Sequence, residues 1–150
     1  SFRRSRSSRP GRRQRRGLGP LMDWPKNGHR LLPVTLIMGG IFFLSHQPGD
    51  SLSLPDIVNI DKLVHCLAYA VLGLAFLFAL PRPWRQRHPF LAGCSVVLFC
   101  LLYGATDEFH QSFVPGRNCS GADLVADGVG GCLAVIAHGC WDHWRVRKQR

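Results

Sequence analysis

The residues best suited to chemistry in this 150-residue chain lie in one stretch, residues 102–123, between two apolar runs. The side chains that could act there are Asp107, Glu108, His110, Gln111, Arg117 and Asp123. Carboxylates and imidazoles can move protons near neutral pH or bind a divalent cation, and a guanidinium can hold a phosphate through two hydrogen bonds. This combination indicates a polar binding or catalytic site.

Helical spacing extends this site to other parts of the chain. Side chains four residues apart lie on the same face of a helix. That spacing occurs in Asp61, His65 and Tyr69, in Tyr103 and Asp107, and in Asp123 and Asp127. Ser45, His46 and Gln47 close an earlier apolar run and are expected at the mouth of the same site.

The helices that carry these polar side chains must form from four apolar runs, at residues 31–44, 63–80, 90–106 and 122–141. None has a polar face as wide as a surface helix of a soluble bundle needs, so only a membrane can bury all four. The period-two alternation of spanning strands is missing, which leaves helices. The sequence therefore predicts an all-α, polytopic membrane protein, with a four-helix transmembrane bundle over residues 30–141. The expected spans are about 30–46, 62–81, 89–107 and 121–141.

The first run is shorter than the roughly 20 residues that cross a bilayer. Ser45 and the snorkelling side chains of Lys26 and Arg30 are expected to extend it. A cleaved signal peptide is the alternative, but no small-x-small cleavage site follows the run.

The distribution of charge predicts the orientation of the bundle. All Lys and Arg residues except Lys62 and Arg117 lie in residues 1–30, 81–89 and 142–150. By the positive-inside rule, these segments and both termini are cytoplasmic, and the polar stripes open to the outer side. Most acids, Asp50 and Asp56 among them, then lie on or near that side.

The two tails are basic. Residues 1–25 are rich in Arg, Ser, Gly and Pro and are expected to be disordered, with Met22 as a possible true start. Residues 142–150 are expected to form a second cytoplasmic tail.

Ionisable side chains within a span are costly, at least about 2.5–3.5 kcal/mol each, so they should face one another inside the bundle. Asp61, His65, Asp107, Asp123 and Asp127 would line a pocket. A separate stripe of small residues on the fourth helix, Ala122, Ala126, Gly130 and Ala134, favours close helix packing.

Other classes of site are less well supported by the sequence. Asp107, Glu108 and His110 have ligand chemistry for a divalent metal, but their spacing matches no helical metal motif, so no cofactor is expected. The six cysteines form no CxxC pair, and five lie in apolar runs as small hydrophobic residues. The net charge of +10 comes with no nucleic-acid-binding signature.

At these residues the chain resembles the VanZ-like family of small membrane proteins. The matching pieces are Ser45-His46-Gln47-Pro48, Asp61-Lys62-x-x-His65 with Tyr69, Tyr103-Gly104-x-x-Asp107-Glu108-Phe109-His110-Gln111, Pro115-Gly116-Arg117, and Asp123 with Asp127-Gly128. The resemblance implies a multi-helix protein of the bacterial cytoplasmic membrane, with a family link to resistance to teicoplanin, a glycopeptide that acts on the cell envelope. At position 127 the family pattern leads us to expect Asn, where this chain has Asp.

Two functions fit the residues, and both have membrane lipids or lipid-linked envelope intermediates as partners. The first is a binding protein for such a headgroup, with Lys62 and Arg117 on the phosphate and the carboxylates on sugar or peptide groups. The second is a membrane hydrolase or transferase, with His65 or His110 as base or nucleophile oriented by Asp61 or Asp107. A proton or ion path is the weakest hypothesis, because the ionisable residues stop halfway through the membrane. The expected binding set is Ser45, His46, Gln47, Asp61, Lys62, His65, Tyr69, Tyr103, Asp107, Glu108, His110, Gln111, Arg117, Asp123 and Asp127.

Overall fold

The computed structural model describes residues 28–48 and 59–149. After a single 3₁₀ turn at residues 28–30, the elements in chain order are α1 (Leu32–Ser45), α2 (Ile60–Ala79), α3 (Arg82–Arg87), α4 (Pro89–Gln111) and α5 (Gly121–Lys148). No strand occurs in these two ranges, which confirms the predicted all-α fold. The expected disordered tail at 1–25, the Met22 start, and Asp50 and Asp56 lie outside the described residues.

Four helices in these ranges are long and apolar enough to cross a membrane: Gly28–Ser45, Ile60–Ala79, Pro89–Gln111 and Gly121–Lys148. Their outward faces carry large apolar side chains, including Leu36, Phe43, Leu98 and Ile136, which are 58–66% exposed. Such surfaces suit contact with lipid acyl chains, where the helices satisfy their own backbone hydrogen bonds. The protein is therefore a multi-pass membrane protein.

The most extensive helix contact joins α2 and α5. A Cβ at Gly130 would overlap the backbone carbonyl of Cys66 and lie 2.9 Å from the backbone nitrogen of Ala70. A Cβ at Gly73 would lie 2.8 Å from the Cβ of Ala134. Glycine on both helices thus lets their backbones approach closely, as small residues do in membrane proteins. Within the predicted small-residue stripe, Gly130 and Ala134 are buried, whereas Ala122 is exposed.

Two helices run further than the predicted spans. Helix α4 continues to Gln111, and its last turn places Asp107, Glu108 and Gln111 on the buried side. Helix α5 continues to Lys148, because no proline or capping glycine interrupts its basic end. There the charged groups of Arg145 and Lys148 lie over the rings of Trp141 and Trp144.

The bundle has two chemically different ends. The polar end, as we call it, is formed where α1 and α4 terminate and α2 and α5 begin. The basic end lies opposite, around α3, and contains a cavity of about 520 Å³ whose lining includes Arg82, Arg85, His138, Asp142 and Arg145. The expected site residues lie at or near the polar end.

Candidate functional site

Asp107 is the centre of a buried hydrogen-bond group between α1 and α4. Its Oδ2 accepts a hydrogen bond from Ser45 Oγ at 2.8 Å and another from Gln111 Nε2 at 2.9 Å. Asp107 is 4% exposed, and its Oδ1 has no hydrogen-bond partner among the described residues. The Oδ2 atom therefore links α1 to α4, whereas Oδ1 is still able to accept a hydrogen bond.

His65 and Asp127 form a second buried pair, between α2 and α5. His65 Nδ1 lies 3.0 Å from Asp127 Oδ1, and Asp127 is completely buried. A Cβ at position 104 would overlap the Asp127 carboxylate, so Gly104 of α4 provides the space for that side chain. The His65 ring is stacked parallel to Tyr69, with their centroids 6.3 Å apart. Both Asp127 Oδ2 and the buried hydroxyl of Tyr69 are without partners in the described part of the chain.

Lys62 links two carboxylates at the start of α2 and α5. Its Nζ donates to Asp61 Oδ2 at 2.7 Å and to Asp123 Oδ1 at 3.0 Å. The Asp61 side chain is 52% exposed, whereas that of Asp123 is 9% exposed. Exposed ion pairs contribute little to stability, so the bond to Asp123 is the one that holds the lysine side chain in place.

Glu108 connects α4 to the first turn of α5. Its Oε2 accepts a hydrogen bond from the backbone nitrogen of Ser120 at 2.8 Å, and the Ser120 hydroxyl caps α5 by accepting from the nitrogen of Ala122. Glu108 is 5% exposed, and its Oε1 has no partner among the residues described. Ligand atoms of His65, Glu108 and Asp123 all lie within 4.8 Å of one another, so these three side chains could share a cation.

His46 and His110 form a more exposed pair at the edge of the polar end. His46 Nδ1 lies 3.2 Å from His110 Nε2, which requires one ring to donate and the other to accept. Phe42 packs on His110 with ring centroids 4.5 Å apart. The pair therefore joins α1 to α4 beside an apolar surface.

Arg117, Gln47 and Tyr103 attach α1 to the rest of the bundle. Arg117 donates from Nε to the Gln47 carbonyl at 3.1 Å and from Nη2 to the Leu44 carbonyl at 2.9 Å, which satisfies carbonyls at the end of α1. Gly116, at φ 75°, supplies the left-handed turn that brings Arg117 back to this helix. The Tyr103 hydroxyl donates to the Met38 carbonyl at 2.7 Å, and Gln47 Nε2 donates to the carbonyl of Phe43.

The structure brings the expected residues to one end but gives the two histidines different partners from those expected. His65 pairs with Asp127 rather than with Asp61 or Asp107, and His110 pairs with His46 rather than with Asp107. Arg117 uses two N–H groups on backbone carbonyls. Each correction has the same cause: sequence spacing gives the face of one helix, but the neighbouring helix decides which side chain meets it.

One residue of the site, Ser120, was absent from the sequence expectations, and another, Gly104, was named only as part of the matching motif. Gly104 makes room for Asp127, and Ser120 fixes both the start of α5 and the orientation of Glu108. A local signal for the second exists, because Ser120-x-x-Asp123 matches the pattern of a helix-capping box. The motif that contains Gly104 did not predict its structural role, since that role depends on contact with a distant helix.

Carboxylate acceptors are the most numerous unpartnered polar groups of the site. Oxygens of Asp107, Glu108 and Asp127 are buried and unpartnered within the described chain. A buried acceptor without a partner costs about 1–3 kcal/mol, and more when charged. Three such oxygens at one end of the bundle are therefore able to accept hydrogen bonds from a ligand or to bind a cation.

Comparison with known proteins identifies a family. The family model described as VanZ/LLP1 matches residues 30–141, which includes every expected site residue and confirms the resemblance seen in the motifs. No curated protein and no solved structure matches this chain.

Proposed function

The chain belongs to the VanZ/LLP1 family, and on that basis we propose that its polar end binds the headgroup of an envelope lipid or lipid-linked intermediate in the bacterial cytoplasmic membrane. The observation that carries the proposal is the set of buried carboxylate oxygens on Asp107, Glu108 and Asp127 that have no partner among the described residues. They lie at the end of an apolar bundle whose outer faces suit acyl chains.

The chemistry of the ligand follows from these acceptors. Carboxylate oxygens recognise sugar hydroxyls, amides and ammonium groups, and hydrogen bonds to a charged partner contribute about 1.5–3 kcal/mol each. Lys62 and Arg117 also retain N–H groups beyond those already used, and these can contact a headgroup phosphate. The preferred ligand is therefore a lipid whose headgroup combines many donors with a phosphate.

Lipid binding can be measured by native mass spectrometry of the detergent-purified protein after incubation with a bacterial lipid extract. We expect the wild type to retain one class of headgroup and Asp107→Asn to retain at least about tenfold less, since one charged hydrogen bond is lost. Asp142→Asn, which alters a carboxylate at the basic end, is the matched control and should bind normally. Equal retention by all three proteins would refute the site.

The orientation of the bundle belongs to the same proposal, because an envelope headgroup must be reached from the outer side. In a cysteine-free background, Ser112→Cys reports the polar end and Gln86→Cys the basic end; both residues are exposed. We expect a membrane-impermeant thiol reagent to label position 112 but not 86 in intact cells. The opposite pattern would place the polar end in the cytoplasm and exclude an outer headgroup as its ligand.

We further propose that occupancy of this site alters glycopeptide susceptibility. Expression of the wild type in a teicoplanin-susceptible host should change the inhibitory concentration of teicoplanin, and Asp107→Asn should abolish that change. An equal effect of both proteins would show that the change in teicoplanin susceptibility does not depend on the polar end.

A second candidate function, hydrolysis or group transfer on a phospholipid or polyprenyl phosphate, is favoured by the His65–Asp127 pair. A buried carboxylate 3.0 Å from an imidazole can orient it as a general base. Under this hypothesis Asp127→Asn should lower turnover of the lipid phosphate far more than it lowers lipid retention. Unchanged turnover in that variant would show that His65, oriented by Asp127, is not the general base.

A further inference from the structure

Three helices place a complete set of metal ligands at one point of the polar end. His65 comes from α2, Glu108 from α4 and Asp123 from α5, and their ligand atoms lie within 4.8 Å of one another. Catalytic zinc sites use three protein ligands and keep a further position open, and imidazole with carboxylates suits zinc and manganese. Bonds of 2.0–2.1 Å to one ion require a spacing of about 3.3 Å between ligand atoms, so the three side chains must move closer together when an ion binds.

An independent observation points to a ligand at the same place. Glu108 is 95% buried (5% exposed), and its Oε1 has no partner among the described residues although Oε2 of the same carboxylate is held by the Ser120 nitrogen. The Ser120 bond fixes the carboxylate, so the second oxygen is presented in a defined direction. Buried carboxylates in proteins are commonly paired or coordinate metals, so a cation is a suitable partner for this oxygen.

The hydrogen bond to His65 is arranged as in established metal sites. Ligating histidines almost always donate their other ring N–H to a carboxylate or carbonyl, which fixes the tautomer and raises the basicity of the ligand nitrogen. Asp127 Oδ1, fully buried, lies 3.0 Å from His65 Nδ1. A proton on Nδ1 leaves the lone pair on Nε2 for a metal.

The charge around these residues favours a cation in spite of Lys62. Asp61, Asp107, Glu108, Asp123 and Asp127 surround the polar end, where Lys62 and Arg117 are the basic residues of the described chain. Lys62 occupies Oδ1 of Asp123, which leaves Oδ2 of that carboxylate as a ligand. The carboxylates outnumber the fixed positive charges, so a divalent ion brings the site closer to neutrality.

We propose that His65, Glu108 and Asp123 bind one divalent transition-metal ion, with Asp127 as the positioning residue for His65. This inference stands without the lipid proposal, because it concerns only the ion. It also restricts the second candidate function: an imidazole whose Nε2 ligates a metal cannot act as the general base.

The probe for this site is Mn²⁺, because the chain contains six cysteines and thiolates prefer softer ions such as zinc. Full-length protein in detergent is stripped with a chelator and titrated with Mn²⁺, and bound ion is measured by electron paramagnetic resonance. We expect one high-affinity equivalent per chain and a higher unfolding temperature in its presence. Mg²⁺ should compete only weakly, since imidazole is not among its preferred ligands.

Three variants distinguish ligation from general loss of charge. Glu108→Gln keeps the size of the side chain and should weaken Mn²⁺ binding by at least about tenfold, and Asp127→Asn should weaken it by about 10–100-fold through the orientation of His65. Asp107→Asn removes an equally buried carboxylate outside the ligand set and should weaken Mn²⁺ binding much less than Glu108→Gln does, because no ligand atom is lost.

Two results would overturn the proposal. One is the absence of a high-affinity Mn²⁺ equivalent in the stripped wild type, together with an unfolding temperature that Mn²⁺ leaves unchanged. The other is an equal loss of binding in Glu108→Gln and Asp107→Asn. If Glu108→Gln does not fold, the wild-type titration still decides, because it needs no variant. Absence of lipid retention by the wild type, with intact Mn²⁺ binding, would count against the proposed function alone.

Discussion

Replacement of Gly130 by alanine tests how closely α2 and α5 must approach. The added Cβ would overlap the carbonyl oxygen of Cys66 and lie 2.9 Å from the nitrogen of Ala70, where unstrained contacts between heavy atoms are about 3.5 Å. The obstacles are backbone atoms, so no rotamer change on α2 can relieve them. The two helices must therefore separate locally by about 0.6 Å or more.

The free-energy cost can be isolated with a matched control on the same helix. A Cβ added at Gly139 of α5 would have no neighbouring atom within 4 Å, so Gly139→Ala changes helix propensity without a clash. Alanine gains roughly 0.5–1 kcal/mol over glycine in a helix interior, and this gain cancels when the two variants are compared. Overpacking of this kind costs about 1–3 kcal/mol, which is the expected difference in unfolding free energy between them.

The assay is reversible unfolding in mixed detergent micelles, followed by far-ultraviolet circular dichroism. Gly130→Ala should be less stable than Gly139→Ala by the stated amount, and it should also bind Mn²⁺ more weakly, because separation of the helices moves His65 away from Asp127. Equal stability of the two variants would show that α2 and α5 do not pack as closely as the structure indicates.

Two further predictions concern the attachment of α1 and the loop before α5. Tyr103→Phe removes the hydrogen bond to a carbonyl of α1 and should lower the unfolding free energy by about 0.5–1.5 kcal/mol in the same assay, with unchanged stability contradicting that bond. Desolvation, together with the neighbouring Glu108 carboxylate, raises the pKa of the Cys119 thiol. Less thiolate is therefore present at neutral pH, and alkylation should accelerate only as the pH rises above the usual thiol range. Alkylation is followed by mass spectrometry with Cys119 as the sole cysteine; Glu108→Gln should shift the profile to lower pH, and an unshifted profile would contradict the influence of that carboxylate.

The sequence was sufficient to predict four apolar helices long enough to cross a membrane and a group of polar side chains at one end of the bundle. Apolar runs of spanning length are a local property, and polar side chains at four-residue spacing fix the face of a single helix. Ser45 and Asp107 were expected at one polar site because their runs end at the same side of the bundle, and a hydrogen bond joins them.

The pairings could not be predicted, because they depend on the rotation of each helix about its axis. His65 meets Asp127 because Gly130 and Gly73 bring α2 against α5, and because Gly104 leaves space on α4. These glycines carry no polar signal, and their effect appears only when two distant segments are in contact. The contacts of Arg117 with Leu44 and Gln47 were equally unpredictable, because these residues are far apart in the sequence and do not share a helix.

The dominance of the α2–α5 contact has a consequence for biogenesis. During synthesis, α2 enters the bilayer well before α5, and its principal partner is the last long helix of the bundle. Until α5 is inserted, His65 lacks the Asp127 carboxylate and Gly73 lacks its contact with Ala134. Nascent chains interrupted before Gly121 should therefore be recognised by membrane quality control and degraded, whereas chains that extend past Ala134 contain both halves of the core.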